Sequence, residues 1–122
     1  MLFRSYRKIS NDLDRLSLKK LGSHLIQEKY SKTFTIRVHP QENRRYYEKM
    51  ILDLNLNAQL SKEQNVIEDL AKHEYIVGME TAPLFWAVKI GKKAFTTLPI
   101  KGKHSSLEFL GIKPITKLKF ND

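Results

Sequence analysis

The chain has 122 residues, a formal net charge of +9 and a hydrophobic fraction of 41%, which fits one domain with one modest core. With no cysteine, it can hold no disulfide framework, thiolate metal cluster or cysteine nucleophile. No apolar run reaches the roughly 18 residues needed to cross a bilayer.

Residues 1–9 combine Leu2, Phe3, Tyr6 and Ile9 with Arg4, Arg7 and Lys8, and no acid precedes Asp12. A helix there would have one apolar and one basic face. That is the pattern of a basic arm lying on a partner, or of a mitochondrial targeting segment. Residues 11–29 then place Leu13, Leu16, Leu21 and Leu25 near helical spacing, with Gly22 as a possible break. From Thr33 to Val38 the period changes to two, which predicts a strand with Phe34, Ile36 and Val38 on one face. His39-Pro40 closes it. A helix over 41–54 follows, with Tyr47, Met50, Ile51 and Leu54 as its buried stripe.

Residues 55–60 read as a turn or very short strand. Ser61 and Gln64 form a capping box for a helix over 61–73, whose apolar side is Val66, Ile67, Leu70 and Ala71. Tyr75, Val77 and Met79 alternate. Beyond a turn at Thr81-Ala-Pro83, Leu84, Trp86, Val88 and Ile90 alternate with Phe85, Ala87 and Lys89, so 75–90 predicts an antiparallel hairpin broken at Gly91. Residues 94–100 predict a short strand, 105–110 a turn or two of helix, and 115–120 an edge strand or extended arm.

Helix, strand, two helices and a hairpin over residues 11–91 resemble the winged helix-turn-helix domain. Residues 43–90 are also similar to the N-terminal half of the eighth protein of the small ribosomal subunit. The resemblance implies an α+β fold with a winged-helix-like core over 11–91. A basic amphipathic N-terminal arm over 1–10 and a basic C-terminal extension over 92–122 complete the expected layout.

Charge is unevenly distributed along this layout. Residues 1–32 carry eight basic and three acidic side chains, 33–60 four and three, 61–80 two and five, and 81–122 eight and two. Basic ends around an acidic middle attract polyanions, because phosphate contacts supply salt-dependent affinity tolerant of sequence. The predicted helix 61–73 lacks arginine and sets Lys62 and Lys72 against Glu63, Glu68 and Asp69, which argues against its reading a DNA groove.

The expected nucleic-acid contacts are therefore Arg4, Arg7, Lys8, Arg15, Lys19 and Lys20 at one end. Lys89, Lys92, Lys93, Lys101, Lys103, Lys117 and Lys119 supply them at the other. Phe85 and Phe95 are candidates to stack on unpaired bases. No glycine-rich phosphate loop, metal-ligand spacing or nucleophile motif occurs, so the expectation is a non-enzymatic protein without cofactor, metal or small-molecule substrate. The expected partners are RNA of the ribosomal kind together with neighbouring proteins of a ribonucleoprotein particle. Duplex DNA contacted by a winged-helix protein, or an acidic protein partner, are the alternatives. The expected compartment is intracellular: cytoplasmic, or mitochondrial if residues 1–9 direct the chain there.

Overall fold

A computed structural model describes residues 1–4, 11–79, 82–100, 102 and 111–120. They form a mixed structure of helices and one wholly parallel, six-stranded sheet. In chain order the elements are β1 (Leu2–Arg4), α1 (Asn11–Gln27), β2 (Phe34–Arg37), α2 (Arg44–Asp53), β3 (Ala58–Leu60), α3 (Val66–Ala71) and β4 (Tyr75–Gly78). Then come α4 (Ala82–Lys89), β5 (Lys93–Thr96), β6 (Lys113–Pro114) and a 3-10 turn over Ile115–Lys117. The strands lie in the order β3-β2-β1-β4-β5-β6. β1 sits in the middle, with Leu2 opposite Thr35 on one side and Ile76 on the other.

Period-two alternation sends successive side chains to opposite faces of this sheet, and each face meets its own pair of helices. Phe3, Phe34, Ile36, Val77 and Phe95 pack with Leu18, Leu21 and Leu25 of α1 and with Tyr47 and Met50 of α2. On the other face Leu2, Ile76 and Ala94 pack with Leu70 of α3 and with Leu84 and Ala87 of α4. Full burial stabilises by about 1.5–3 kcal/mol per large apolar side chain, and this double-sided core is why β2 is buried along its whole length.

Several sequence expectations hold. α1, β2, α2 and β4 lie within a few residues of their predicted places. Gly22 does not break α1; it lets Leu56 come close, since a Cβ there would stand 2.8 Å from Leu56 Cδ2. Lys29, at a positive φ of 58°, ends the helix, with the Tyr30 N–H donating to Leu25 O at 2.9 Å.

Other expectations are corrected. The predicted second wing strand over 84–90 is helix α4, and β4 pairs in parallel with β1 and β5, so the wing hairpin is not formed. The parallel sheet does not have a winged-helix layout. In place of an N-terminal arm, residues 2–4 are the central strand. The expected C-terminal extension contributes β5 and β6 to the same sheet. Ile115–Lys117 is a 3-10 turn, where an edge strand was expected. Residues 105–110 lie outside the described residues. The capping box also dissolves: α3 starts later, capped by Asn65, whose Oδ1 accepts from the N–H groups of Ile67 and Glu68 at 2.9 and 3.1 Å.

Candidate ligand site at the carboxyl edge of the sheet

Parallel strands all end at one edge. There the chain leaves β1 for α1 on one face and leaves β4 for α4 on the other. β1 and β4 are neighbours, so the strand order reverses between them, with α1 and α4 on opposite faces. Residues 5–10 and 80–81 of these connections lie outside the described residues. The flanking segments at the same edge are described: residues 38–43 after β2, 61–65 after β3 and 97–100 after β5.

The best-formed cluster joins β2, β3 and α3. Thr35 and Arg37 alternate with Phe34 and Ile36, so they face α3. Arg37 donates from one terminal nitrogen to Asp69 Oδ2 at 2.9 Å and to the Glu63 carbonyl. Its other terminal nitrogen donates to the Gln64 carbonyl at 2.8 Å. Ser61 also donates to Asp69 Oδ2, and His73 Nε2 stands 3.8 Å from Asp69 Oδ1. The side chains of Arg37 and Asp69 are only 10% and 3% exposed, so this is a buried, hydrogen-bonded ion pair. It ties the loop after β3 to the end of β2.

Above the pair a groove of about 350 Å³ is lined by Arg37, Val38, His39, Glu42, Arg44 and Glu63, among others. His39 Nδ1 accepts from the Gln41 N–H at 3.1 Å, which places the proton of the neutral ring on Nε2. Burial raises the Glu42 carboxyl above its ordinary value. Arg44 donates to the Ser61 carbonyl at 3.2 Å, and Asn43 caps α2 by accepting from the Arg45 N–H at 2.9 Å. The groove thus offers cationic donors beside carboxylate acceptors, a set suited to a ligand carrying both anionic oxygens and hydroxyls. Among the described residues, no three His, Asp or Glu side chains gather to hold a metal, and no helix is long and apolar enough to cross a membrane.

The predicted nucleic-acid residues that are described fall in several places. Arg4 ends β1, while Arg7, Lys8, Lys101 and Lys103 lie outside the described residues. Arg15, Lys19 and Lys20 run along α1, with Arg15 4.0 Å from Asp53 and Lys20 donating to the Pro99 carbonyl at 3.0 Å. Lys89, Lys92, Lys93 and Lys119 fall at the opposite, amino edge. There Lys92 donates to the Ala71 carbonyl at 3.0 Å, while Lys93 pairs with Glu74 and Lys119 with Glu28, each at 3.2 Å. Lys117 is exposed at the end of the 3-10 turn. Of the two aromatics, Phe95 is a core residue of β5, 8% exposed, and is not placed to stack on a base. Phe85 is half-buried on α4, packed edge to face with Trp86 and beneath Lys89 Nζ at 5.0 Å.

Arg37, Ser61 and Asp69 were absent from the expected site. The available signal was Arg37 itself, an arginine in a strand whose other face was apolar. A sheet covered on both faces buries such a residue and forces it to find a partner. Comparison with known protein families, curated proteins and solved structures finds no match to this chain.

Proposed function

We infer that the chain is a doubly wound binding domain whose carboxyl edge takes a phosphate-bearing small molecule of nucleotide type. The observation that carries this reading is the strand order β3-β2-β1-β4-β5-β6 in a wholly parallel sheet. Open α/β sheets of this order bind ligands outside the carboxyl ends of their strands, at the point where the order reverses. α1 and α4 both start at that edge on opposite faces, so their positive dipole ends favour an anion between them. The groove beside the end of β2 then suits the sugar: Glu42 and Glu63 accept from hydroxyls, while Arg44 and His39 donate to anionic oxygens. The overall charge of +9 adds long-range attraction for the same ligand.

A thermal-shift series with nucleoside mono- and diphosphates, inorganic pyrophosphate and the uncharged nucleosides tests the reading. Saturation at a hundred times the dissociation constant adds about 2.7 kcal/mol of stability, so a nucleotide should raise the melting temperature where its nucleoside does not. Glu42→Gln should weaken the nucleotide more than pyrophosphate. No stabilisation by any nucleotide at millimolar concentration refutes the reading.

A second reading, structured RNA or duplex DNA as partner, is favoured by the basic side chains of the amino edge, where Lys89, Lys92 and Lys93 follow closely on one another. Affinity falling steeply with salt, and lost when these three are reversed in charge, would support it. Binding indifferent to salt would count against it.

A further inference from the structure

The two edges of the sheet differ in kind. β6 is two residues long and contains Pro114, which has no N–H to offer an added strand. β3 is open. Its register with β2 places Thr35 opposite Gln59, with the Phe34 N–H donating to Asn57 O and the Ser61 N–H to Ile36 O. In a parallel ladder this alternation turns the backbone of Gln59 toward β2 and the N–H and C=O groups of Ala58 and Leu60 outward. Two grooves flank this outward edge. One, of about 510 Å³, lies on the α2 side and is lined by Arg44, Glu48, Ile51, Leu52 and Leu60. The other, of about 440 Å³, lies on the α3 side beside Gln59, Lys72 and His73. Leu52 is 80% exposed, unusual for a leucine beside an open strand.

We propose that β3 pairs with β3 of a second copy, antiparallel about a two-fold axis through Gln59, to make one continuous sheet across a dimer. In that register Ala58 of each copy faces Leu60 of the other. Their outward groups form four backbone hydrogen bonds, and the two Gln59 side chains lie side by side on the α3 face. Because α2 runs beside β3, the two α2 helices also meet antiparallel. Arg44, Glu48 and Leu52 recur at every fourth residue and share one stripe of α2. Arg44 stands level with Ser61, so the two-fold through Gln59 falls near Glu48: Leu52 of one copy lies against the aliphatic stem of Arg44 of the other, whose guanidinium is one turn from Glu48 of both copies. Reversed on itself, the order base, acid, leucine sets each Arg44 against a Leu52 and flanks the central pair of Glu48 side chains with two guanidinium groups, so the charges balance. The blocked β6 edge stops the sheet from growing further, so the assembly closes at two.

The absence of native cysteine makes the test direct. Gln59→Cys should form a disulfide-linked dimer on mild oxidation, since facing residues of this kind have Cα atoms about 4.5 Å apart, within disulfide reach. Thr116→Cys, exposed near β6, is the control and should stay monomeric under the same conditions. By sedimentation equilibrium the unmodified chain should approach twice its 14.3 kDa mass, and Leu52→Lys should raise the dimer dissociation constant about tenfold or more, with an unchanged circular dichroism spectrum. A chain that stays monomeric at all concentrations overturns the proposal, and so does cross-linking at Thr116 equal to that at Gln59. A Leu52→Lys protein that dimerises as tightly as the original overturns the register.

Discussion

Replacing Asp69 by alanine removes the acceptor from a guanidinium that has little water to turn to. Arg37 keeps its bonds to the Glu63 and Gln64 carbonyls, but its charge is left uncompensated, and its Nε is already buried without a partner among the described residues. Truncating one member of such a pair costs about 3–5 kcal/mol, and the orphaned Ser61 hydroxyl adds roughly 1 kcal/mol. Against a total stability of about 5–15 kcal/mol, that is about a quarter or more of the folded state's margin. For a chain of this length it lowers the melting temperature by about 12–20 °C. Urea unfolding followed by circular dichroism measures it, with the midpoint moving and the slope held. The apolar double replacement Arg37→Met, Asp69→Leu should recover most of the loss, because neither partner is then left charged. A loss below about 1 kcal/mol in Asp69→Ala would refute the reasoning, since it would mean that Arg37 is solvated where the structure buries it.

Phe95→Ala should destabilise by about 3–5 kcal/mol in the same assay, as for a core aromatic, with salt-dependent polyanion affinity unchanged. Asn65→Ala removes the cap of α3 and should cost about 1 kcal/mol, whereas Ser61→Ala acts instead through Asp69 and should not be additive with Asp69→Ala in a double-mutant cycle. Burial lowers the His73 imidazole below its ordinary 6.5, so the unfolded chain binds that proton more readily than the folded one. Its contribution is therefore complete above pH 6.5 and is lost as pH falls from there toward the lower folded value. His73→Gln should flatten the stability–pH curve in that window, and an unchanged curve would exclude the imidazole as its source.

How far the fold could be read from the residues depended on whether one period excluded the other. α1 and α2 show only helical spacing, and β2 only alternation, so all three are legible. Residues 84–90 are almost uniformly apolar, and the same residues satisfy both periods. What separates them is Pro83, which suits the first turn of a helix, and Gly91, whose φ of +82° suits a helix end. Reading α4 as a strand is what produced a wing. β1 was hidden for another reason. Three residues carry no period at all, and the helical reading of 1–9 absorbed them. Ser61 stands three residues before Gln64, the spacing of a capping box. Tertiary structure gives its hydroxyl a buried carboxylate instead, and the nearby Asn65 caps α3. Among the described basic residues, Lys89, Lys92, Lys93 and Lys119 share the amino edge, while α1 carries Lys20 toward Pro99 beyond β5.

Strand β1 gives this chain an unusual distribution of local stability. A strand of three residues normally opens at little cost, because few contacts bind it. Here, lifting residues 2–4 opens two hydrogen-bonded ladders at once, to β2 and to β4, and uncovers Leu2 and Phe3 on opposite faces. Among the described residues nothing else bridges β2 to β4 within the sheet. Amide protons in these first residues should therefore exchange only when the whole domain opens, later than those of α3 or β6. Three residues with no period of their own thus report the global unfolding of the sheet.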